Sequence, residues 1–346
     1  MVTLFYAATF VDVARFNTFV EKYNKSYLNE DEKQKRRRIY LQNLKRINEH
    51  NSAYDIGLNG YRLAENNLTD LTEEEFTERY LGLNFYKVAN QSLDRTGNFF
   101  DVWELCPSSE EVPVSNVDWS KDEDNRWMKQ KQVTSVRDQG FCGSCWAFSA
   151  VGALEAANYR YKCKHNNNTC PDKVQELSES DLLNCVYDEN SGGCEGGYPA
   201  TALEHVKYNG IVTSEEAPYA ARREDCDGDH INTRKDFQLS GYCQVRTDGN
   251  KDDELKKALA NVGPVSSLMC FPTGPMHFMS SDIMDDLVAC KAACTDDPVN
   301  HAVVVVGYGT EKDRHGVDKD FWLIKNSAGT SWGDKVLQVC ECLRKL

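Results

Sequence analysis

No run in this 346-residue chain approaches the roughly 18 consecutive apolar residues of a membrane-spanning helix, so none is expected. Positive charge is scarce: 40 Lys and Arg face 54 Asp and Glu, a formal net charge of −14. That balance argues against nucleic acid and against membrane as partners. Internal repeats are absent, which excludes a solenoid. A second Cys-x-x-Cys and a His pair at zinc spacing are missing too. Cys142-Gly-Ser-Cys145 therefore does not read as half of a metal site, and neither metal nor cofactor is expected. The apolar start, Met1 to Val11, lacks the basic residues of a signal peptide. It reads either as a degraded signal or as a chain whose true start lies upstream.

Cysteine, by contrast, is abundant, with 14 residues. Such usage points to an oxidising compartment. Four Asn-x-Ser/Thr sequons, at Asn24, Asn67, Asn90 and Asn167, fit a secretory route. The most informative stretch is Gln139-Gly-Phe-Cys-Gly-Ser-Cys-Trp-Ala-Phe148. From Cys145 the chain is apolar and Ala-rich, which predicts a buried helix opening at the sulfur. A thiol at a helix N-terminus beside an imidazolium has a lowered pKa, and the thiolate is the nucleophile.

A nucleophilic cysteine needs a base, and the base needs an orienting group. Six histidines, His50, His165, His205, His230, His277 and His315, stand among polar or charged neighbours and read as solvated surface residues. His301 differs, because it opens the β-branched run His-Ala-Val-Val-Val-Val-Gly-Tyr-Gly309, a buried strand by pattern. Phe321-Trp-Leu-Ile-Lys-Asn326 reads as a second strand ending in a side-chain amide.

These three segments, in this order, resemble the papain-like cysteine peptidases. The resemblance implies Cys145 as nucleophile, His301 as base, Asn326 as its orienting group, and Gln139 with the Cys145 N–H as oxyanion donors. Gly192-Gly-Cys-Glu-Gly-Gly-Tyr-Pro199 is a glycine-rich loop suited to close approach by an extended peptide. Carried over from the family, Gly196 and Gly197 bind substrate backbone. Tyr198, Pro199, Leu268, Val299 and Ala302 wall an S2 pocket, so apolar P2 side chains are expected. No histidine-bearing occluding loop is visible, which favours an endopeptidase. The family also implies disulfides Cys142–Cys194 and Cys185–Cys226. Cys163 and Cys170 are close enough in sequence to bridge locally. Cys106 falls before the catalytic domain and is left out of the bridged set. Pairing among Cys243, Cys270, Cys290, Cys294, Cys340 and Cys342 stays open.

Upstream, Glu32, Arg36, Tyr40, Asn43, Ile47 and Asn51 form one stripe of one helix, with Glu32 and Arg36 as an i,i+4 ion pair. This resembles the prosegment helix of cathepsin L-type zymogens, whose prosegment acts as an intramolecular inhibitor. The expected organisation is residues 1–15 as apolar N-terminus, 16–75 as helical inhibitory prosegment, 76–114 as exposed linker carrying the cleavage region, and 115–346 as peptidase domain. The mature N-terminus is expected near Val112–Asn116. Helices early and strands later argue an α+β fold, a helical lobe and a β-barrel lobe with a cleft between them. Polypeptide substrates, cystatin-type inhibitors, a monomeric state and a lysosomal, vacuolar or secreted location are the corresponding expectations.

Two departures bear on activity. Asn326-Ser-Ala328-Gly329 carries alanine where the family has a tryptophan covering the His–Asn bond, so a wetter bond is expected. The tail after Gly333 is short, which predicts a missing barrel strand and an open sheet edge. Both motivate an alternative: a catalytically weakened homologue acting as a peptide-binding or inhibitory protein.

Overall fold

A computed structural model describes residues 2–82, 106, 115–121, 131–167, 169–188, 191–226, 235–245, 251–272, 274–281, 299–313, 315–333 and 337–339. The N-terminal part comprises α1 (Val2–Lys22), α2 (Glu30–Asp55), β1 (Arg62–Leu63) and α3 (Glu73–Tyr80). There follow β2 (Val117–Asp118), α4 (Cys145–His165), α5 (Glu179–Cys185), β3 (Tyr187–Asp188), β4 (Ser191–Gly192), α6 (Pro199–Asn209) and α7 (Lys251–Asn261). The chain then becomes strand-rich: β5 (Val265–Met269), β6 (Met279–Ser281), β7 (His301–Lys312), β8 (Asp318–Lys325) and β9 (Leu337–Val339).

Side-chain caps explain where the helices begin. Asn29 accepts from the Glu32 N–H at the start of α2. Thr72 and Glu75 form a reciprocal capping box at α3. Ser178, expected as a cap, accepts from the Asp181 N–H at 3.0 Å.

The helical lobe closes around Trp146, Val151, Leu154, Leu182, Leu183 and Val206, where α4 packs on α5 and α6. In the other lobe β7 is central. β2 and β5 share one of its edges, with Asp118 opposite Gly307 and Met269 opposite His301. β8 covers the other edge, and β9 pairs with β8 through Trp322↔Val339 and Ile324↔Leu337. The expected missing strand is thus corrected: Leu337–Val339 pairs along the end of β8. Helix α4 is tied to this sheet by the Ser149 hydroxyl, which donates to the Val303 carbonyl at 2.6 Å.

The prosegment stripe is buried as its spacing requires. Arg36 donates to Glu32 at 2.6 Å, to Glu75 at 2.5 Å and to the Asp70 carbonyl at 3.1 Å. Tyr40 donates to Glu65 at 2.6 Å, and the Asn43 amide to the Thr69 and Leu71 carbonyls at 2.9 and 2.8 Å. Asn51 exchanges two hydrogen bonds with the Leu63 backbone.

These polar ties present the segment 61–71 to the strand-built lobe. There β1 pairs with β6, Arg62 opposite Ser281 and Leu63 opposite Met279, and Asn66 donates to the His277 carbonyl at 2.7 Å. Phe16, Phe19, Tyr40, Leu68 and Phe76 lie in one continuous apolar core with Phe271, Met279, Val305 and Trp332. Prosegment and strand lobe therefore fold around shared apolar surface.

Two expectations are revised here. Residues 76–82 are not exposed linker, because Phe76, Tyr80 and Gly82 are buried. His277 is not a surface residue: it is 1% exposed, stacked on Phe76 and close against Phe278.

Among the described residues, disulfides join Cys106–Cys243, Cys142–Cys194, Cys163–Cys170 and Cys185–Cys226. Leaving Cys106 out of the bridged set is thereby corrected, since the chain brings it beside Gln244, whose carbonyl accepts from its N–H at 2.8 Å. Cys270 is disulfide-bonded as well. Cys290, Cys294, Cys340 and Cys342 lie outside the described residues.

Candidate active site

Cys145 is the first residue of α4 and is fully buried. The Cys142–Cys194 disulfide pins the preceding turn to the glycine-rich loop, and the Gly143 N–H donates to the Cys194 carbonyl at 2.9 Å. Gln139, also fully buried, donates from Nε2 to the Cys142 carbonyl at 2.9 Å and to the Tyr80 carbonyl at 3.1 Å. Its Oε1 accepts from the Ser327 hydroxyl, so the amide is held from both ends.

His301 stands at the start of β7 and Asn326 just past the end of β8. The two are linked through His301 Nε2 and Asn326 Oδ1 at 2.7 Å. That oxygen also accepts from the Ser327 N–H at 2.8 Å, which fixes it as the carbonyl end of the amide. A carbonyl oxygen only accepts, so Nε2 carries the proton. Nδ1 is left as the basic nitrogen, and it is buried without a hydrogen bond of normal geometry. The pair is 2% and 7% exposed, so the expectation of a wetter bond beside Ala328 is not met in this covered state.

What covers the cleft is the stretch Tyr80–Gly82. The Tyr80 carbonyl takes the Gln139 amide, and the Gly82 carbonyl accepts from the Gly197 N–H at 3.2 Å. A Cβ on Gly82 would lie 2.1 Å from the Gly143 carbonyl oxygen, so only glycine lets the backbones meet. Gly197 is equally constrained, since a Cβ there would strike the Trp146 indole at 2.6 Å.

Burial under this segment pushes the Cys145 thiol up to about 11, although the backbone N–H groups of Ala302 and Gly82 act the other way. Burial likewise pushes His301 down to about 4, against the hydrogen bond to Asn326 and the nearby Tyr80 backbone. The thiol-lowering effect expected of the helix N-terminus is therefore outweighed while the cleft is closed.

Among the other expected site residues, Gly196 accepts from the Gly192 N–H at 2.8 Å. Tyr198 and Pro199 are buried at the start of α6 on the helical side. Leu268 lies opposite Ala302 in the β5–β7 register, with Val299 fully buried just before that strand.

A buried charge cluster carries the site from beneath. Arg137 contacts Glu155 and Glu179 at 2.7 Å each, and Lys325 donates to Thr134 at 2.7 Å. Arg137 lies two residues before Gln139 and Lys325 directly precedes Asn326, so both lobes are held at the site. Five contributors were not found from the sequence: Phe76, Tyr80, Gly82, Phe271 and Ser327. The signal for the first two was present in Thr72-Glu-Glu-Glu75, a capping box that opens a helix with Phe76 and Tyr80 four residues apart.

A thiol at a helix start on one lobe, an imidazole–amide pair on the other, and the chain's own N-terminal part laid between them define a thiol peptidase held as a precursor. Comparison with known proteins agrees. Residues 115–340 match the papain family cysteine protease model, and residues 16–76 match the cathepsin propeptide inhibitor domain (I29). The chain belongs to the papain family of cysteine proteases and is a zymogen with an inhibitory propeptide.

It is 35% identical to a cathepsin L-like peptidase of Aedes aegypti, over 92% of this chain and 85% of that protein. It is 36% identical to cathepsin K of Mus musculus, over 90% and 83%. Among solved structures, digestive procathepsin L 3 from Tenebrio molitor larval midgut superposes with a TM-score of 0.74 at 27% identity, covering 95% of this chain and 93% of that one. The fold is accordingly papain-like.

Proposed function

We propose that this zymogen matures into an endopeptidase in which Cys145 attacks the scissile carbonyl and His301 Nδ1 takes the thiol proton, then returns it to the leaving amine. Asn326 keeps the imidazole in the Nε2–H tautomer that makes Nδ1 available. The Gln139 amide and the Cys145 N–H receive the oxyanion. Water then hydrolyses the acyl-enzyme and regenerates the thiol.

The observation that carries this reading is the pair of contacts made by the prosegment. Tyr80 offers a carbonyl to the Gln139 amide, and Gly82 offers one to the Gly197 N–H. A peptide backbone thus already sits where a substrate backbone would have to sit. Gly196 and Gly197 would pair with substrate, and Tyr198, Pro199, Leu268, Val299 and Ala302 would wall an apolar S2 pocket. The disulfides favour an oxidising location, lysosomal, vacuolar or secreted, and the same proposal takes the matured chain as a monomer open to cystatin-type inhibitors once the prosegment has left.

The test is to acidify the purified chain with reductant and add an irreversible thiol-directed peptidyl probe bearing an apolar P2 residue. A mass shift on the Cys145 peptide, absent in Cys145→Ser, supports the reading. A folded, processed chain that never labels would overturn it.

A further inference from the structure

Ala328 contributes a single methyl beside Asn326, yet His301 and Asn326 are almost wholly buried. Aromatic cover comes from elsewhere. Phe271, two residues past the end of β5, is 1% exposed. Its ring stands nearly perpendicular to the imidazole, at 76° with centroids 5.3 Å apart. A clasp fixes it there: the Phe271 N–H donates to the Asn300 side chain at 2.7 Å, and the Asn300 amide donates back to the Phe271 carbonyl at 2.9 Å. Asn300 directly precedes His301, so ring and imidazole are referenced to the same stretch of backbone. Behind the ring stand Phe76 of the prosegment at 5.6 Å and Trp332 at 5.9 Å. Only the first departs on maturation.

We infer that Phe271 is a positioning residue for His301: its clamped ring sets the tilt of the imidazole and keeps water from the His301–Asn326 bond. Perpendicular aromatic packing is directional, so an aliphatic side chain of similar bulk fills the space without fixing the tilt. The inference rests on His301 being the base.

The experiment compares acid-activated wild type, Phe271→Leu and Phe271→Tyr, each normalised by active-site titration with the thiol probe. Phe271→Leu is expected to lower kcat ~3- to 10-fold with KM within about 2-fold, the worth of one aromatic contact. Its alkaline pH limb is expected to move up by roughly half a unit, because a better-solvated imidazolium holds its proton longer. Phe271→Tyr keeps the ring and is expected to retain most of kcat and the wild-type limb. A Leu variant with wild-type kcat and limb, or a Tyr variant that falls as far as Leu, overturns the inference. Should Phe271→Leu fail to fold, Phe271→Met carries the same comparison. His301→Ala is measured in parallel. Its inactivity upholds the base, whereas wild-type turnover would sink the base and this inference together.

Discussion

Under the closed cleft the Cys145 thiol, near 11, and the His301 imidazole, near 4, are both uncharged at neutral pH. Burial penalises thiolate and imidazolium alike, so under the proposed mechanism a charged Cys145–His301 pair would form only once the Tyr80–Gly82 stretch has moved away. Gly82→Ala forces that separation, since its Cβ has nowhere to go against the Gly143 carbonyl. The unprocessed Gly82→Ala chain is expected to label at Cys145 at least ~10-fold faster than wild type at pH 7, a change of about 1.4 kcal/mol in the closing equilibrium. Equal labelling rates would show that the prosegment seats itself without this contact.

His277 supplies a second residue-level prediction. Burial lowers it from 6.5 to about 4; the Gly274 backbone opposes this, while Arg46 of α2 lowers it further. Around it, α3 presents Phe76, and Asn66 binds its carbonyl. The docked form prefers the neutral ring, so as pH falls below about 6.5 the undocked state gains protons and the closed form loses stability, a loss complete near 4. His277→Phe should therefore move the midpoint of autoprocessing to lower pH, read by gel after timed acidification. An unmoved midpoint would assign the trigger elsewhere. His277 was unreadable in the sequence because two of its partners come from the prosegment, Phe76 stacked on its ring and Asn66, 211 residues away, on its carbonyl, whereas His301 was legible from the strand it opens.

Lys35 and Arg36 of α2 tie Glu75 of α3 by ion pairs. Burial alone would raise Glu75, but hydrogen bonds from Arg36 and the Thr72 backbone, with the charge of Arg36, bring it down to about 2. A carboxylate so held stays ionised above its folded value. The pair's contribution is present in full above the ordinary 4.5 and is lost progressively as pH falls from there to about 2. Acidification that stays above 4.5 therefore leaves this brace intact. Arg36→Ala strands Glu75 and the Asp70 carbonyl, and is expected to cost about 3 kcal/mol. It should lower the proform melting temperature by several degrees and weaken inhibition, measured by calorimetry and residual activity at neutral pH.

At this scale the sequence was informative wherever a period or a cap was local: α2 from its stripe, α4 from its alanines, α5 from Ser178, β7 and β8 from their β-branched runs. It was silent on pairing. Nothing in Leu337-Gln-Val339 says that it lies along β8, and nothing in Arg62-Leu63 says that it borrows β6. Strand partners are set by the whole fold, not by neighbours in the chain.

Across the whole molecule, prosegment and strand lobe share one apolar core while the helical lobe keeps its own. Removing the prosegment therefore exposes more of the strand lobe than of the helical one. The matured enzyme is expected to lose thermal stability, and hydrogen exchange should quicken first around β6 and Phe271. Uniform protection in both forms would contradict a shared core. The Cys106–Cys243 bridge adds a constraint of a different kind. A cut in the Val112–Asn116 stretch severs the peptide bond but not the molecule, because Cys106 remains upstream of the cut and bonded to Cys243 downstream. The inhibitor would then compete with substrate as a tethered ligand, at an effective concentration in the millimolar range rather than by dilution into solvent. A chain cut only there should run as one species without reductant and as two with it. It should also stay inhibited until it is reduced or cut again before Cys106, so release becomes a matter of redox state and second cleavage, not of proteolysis alone.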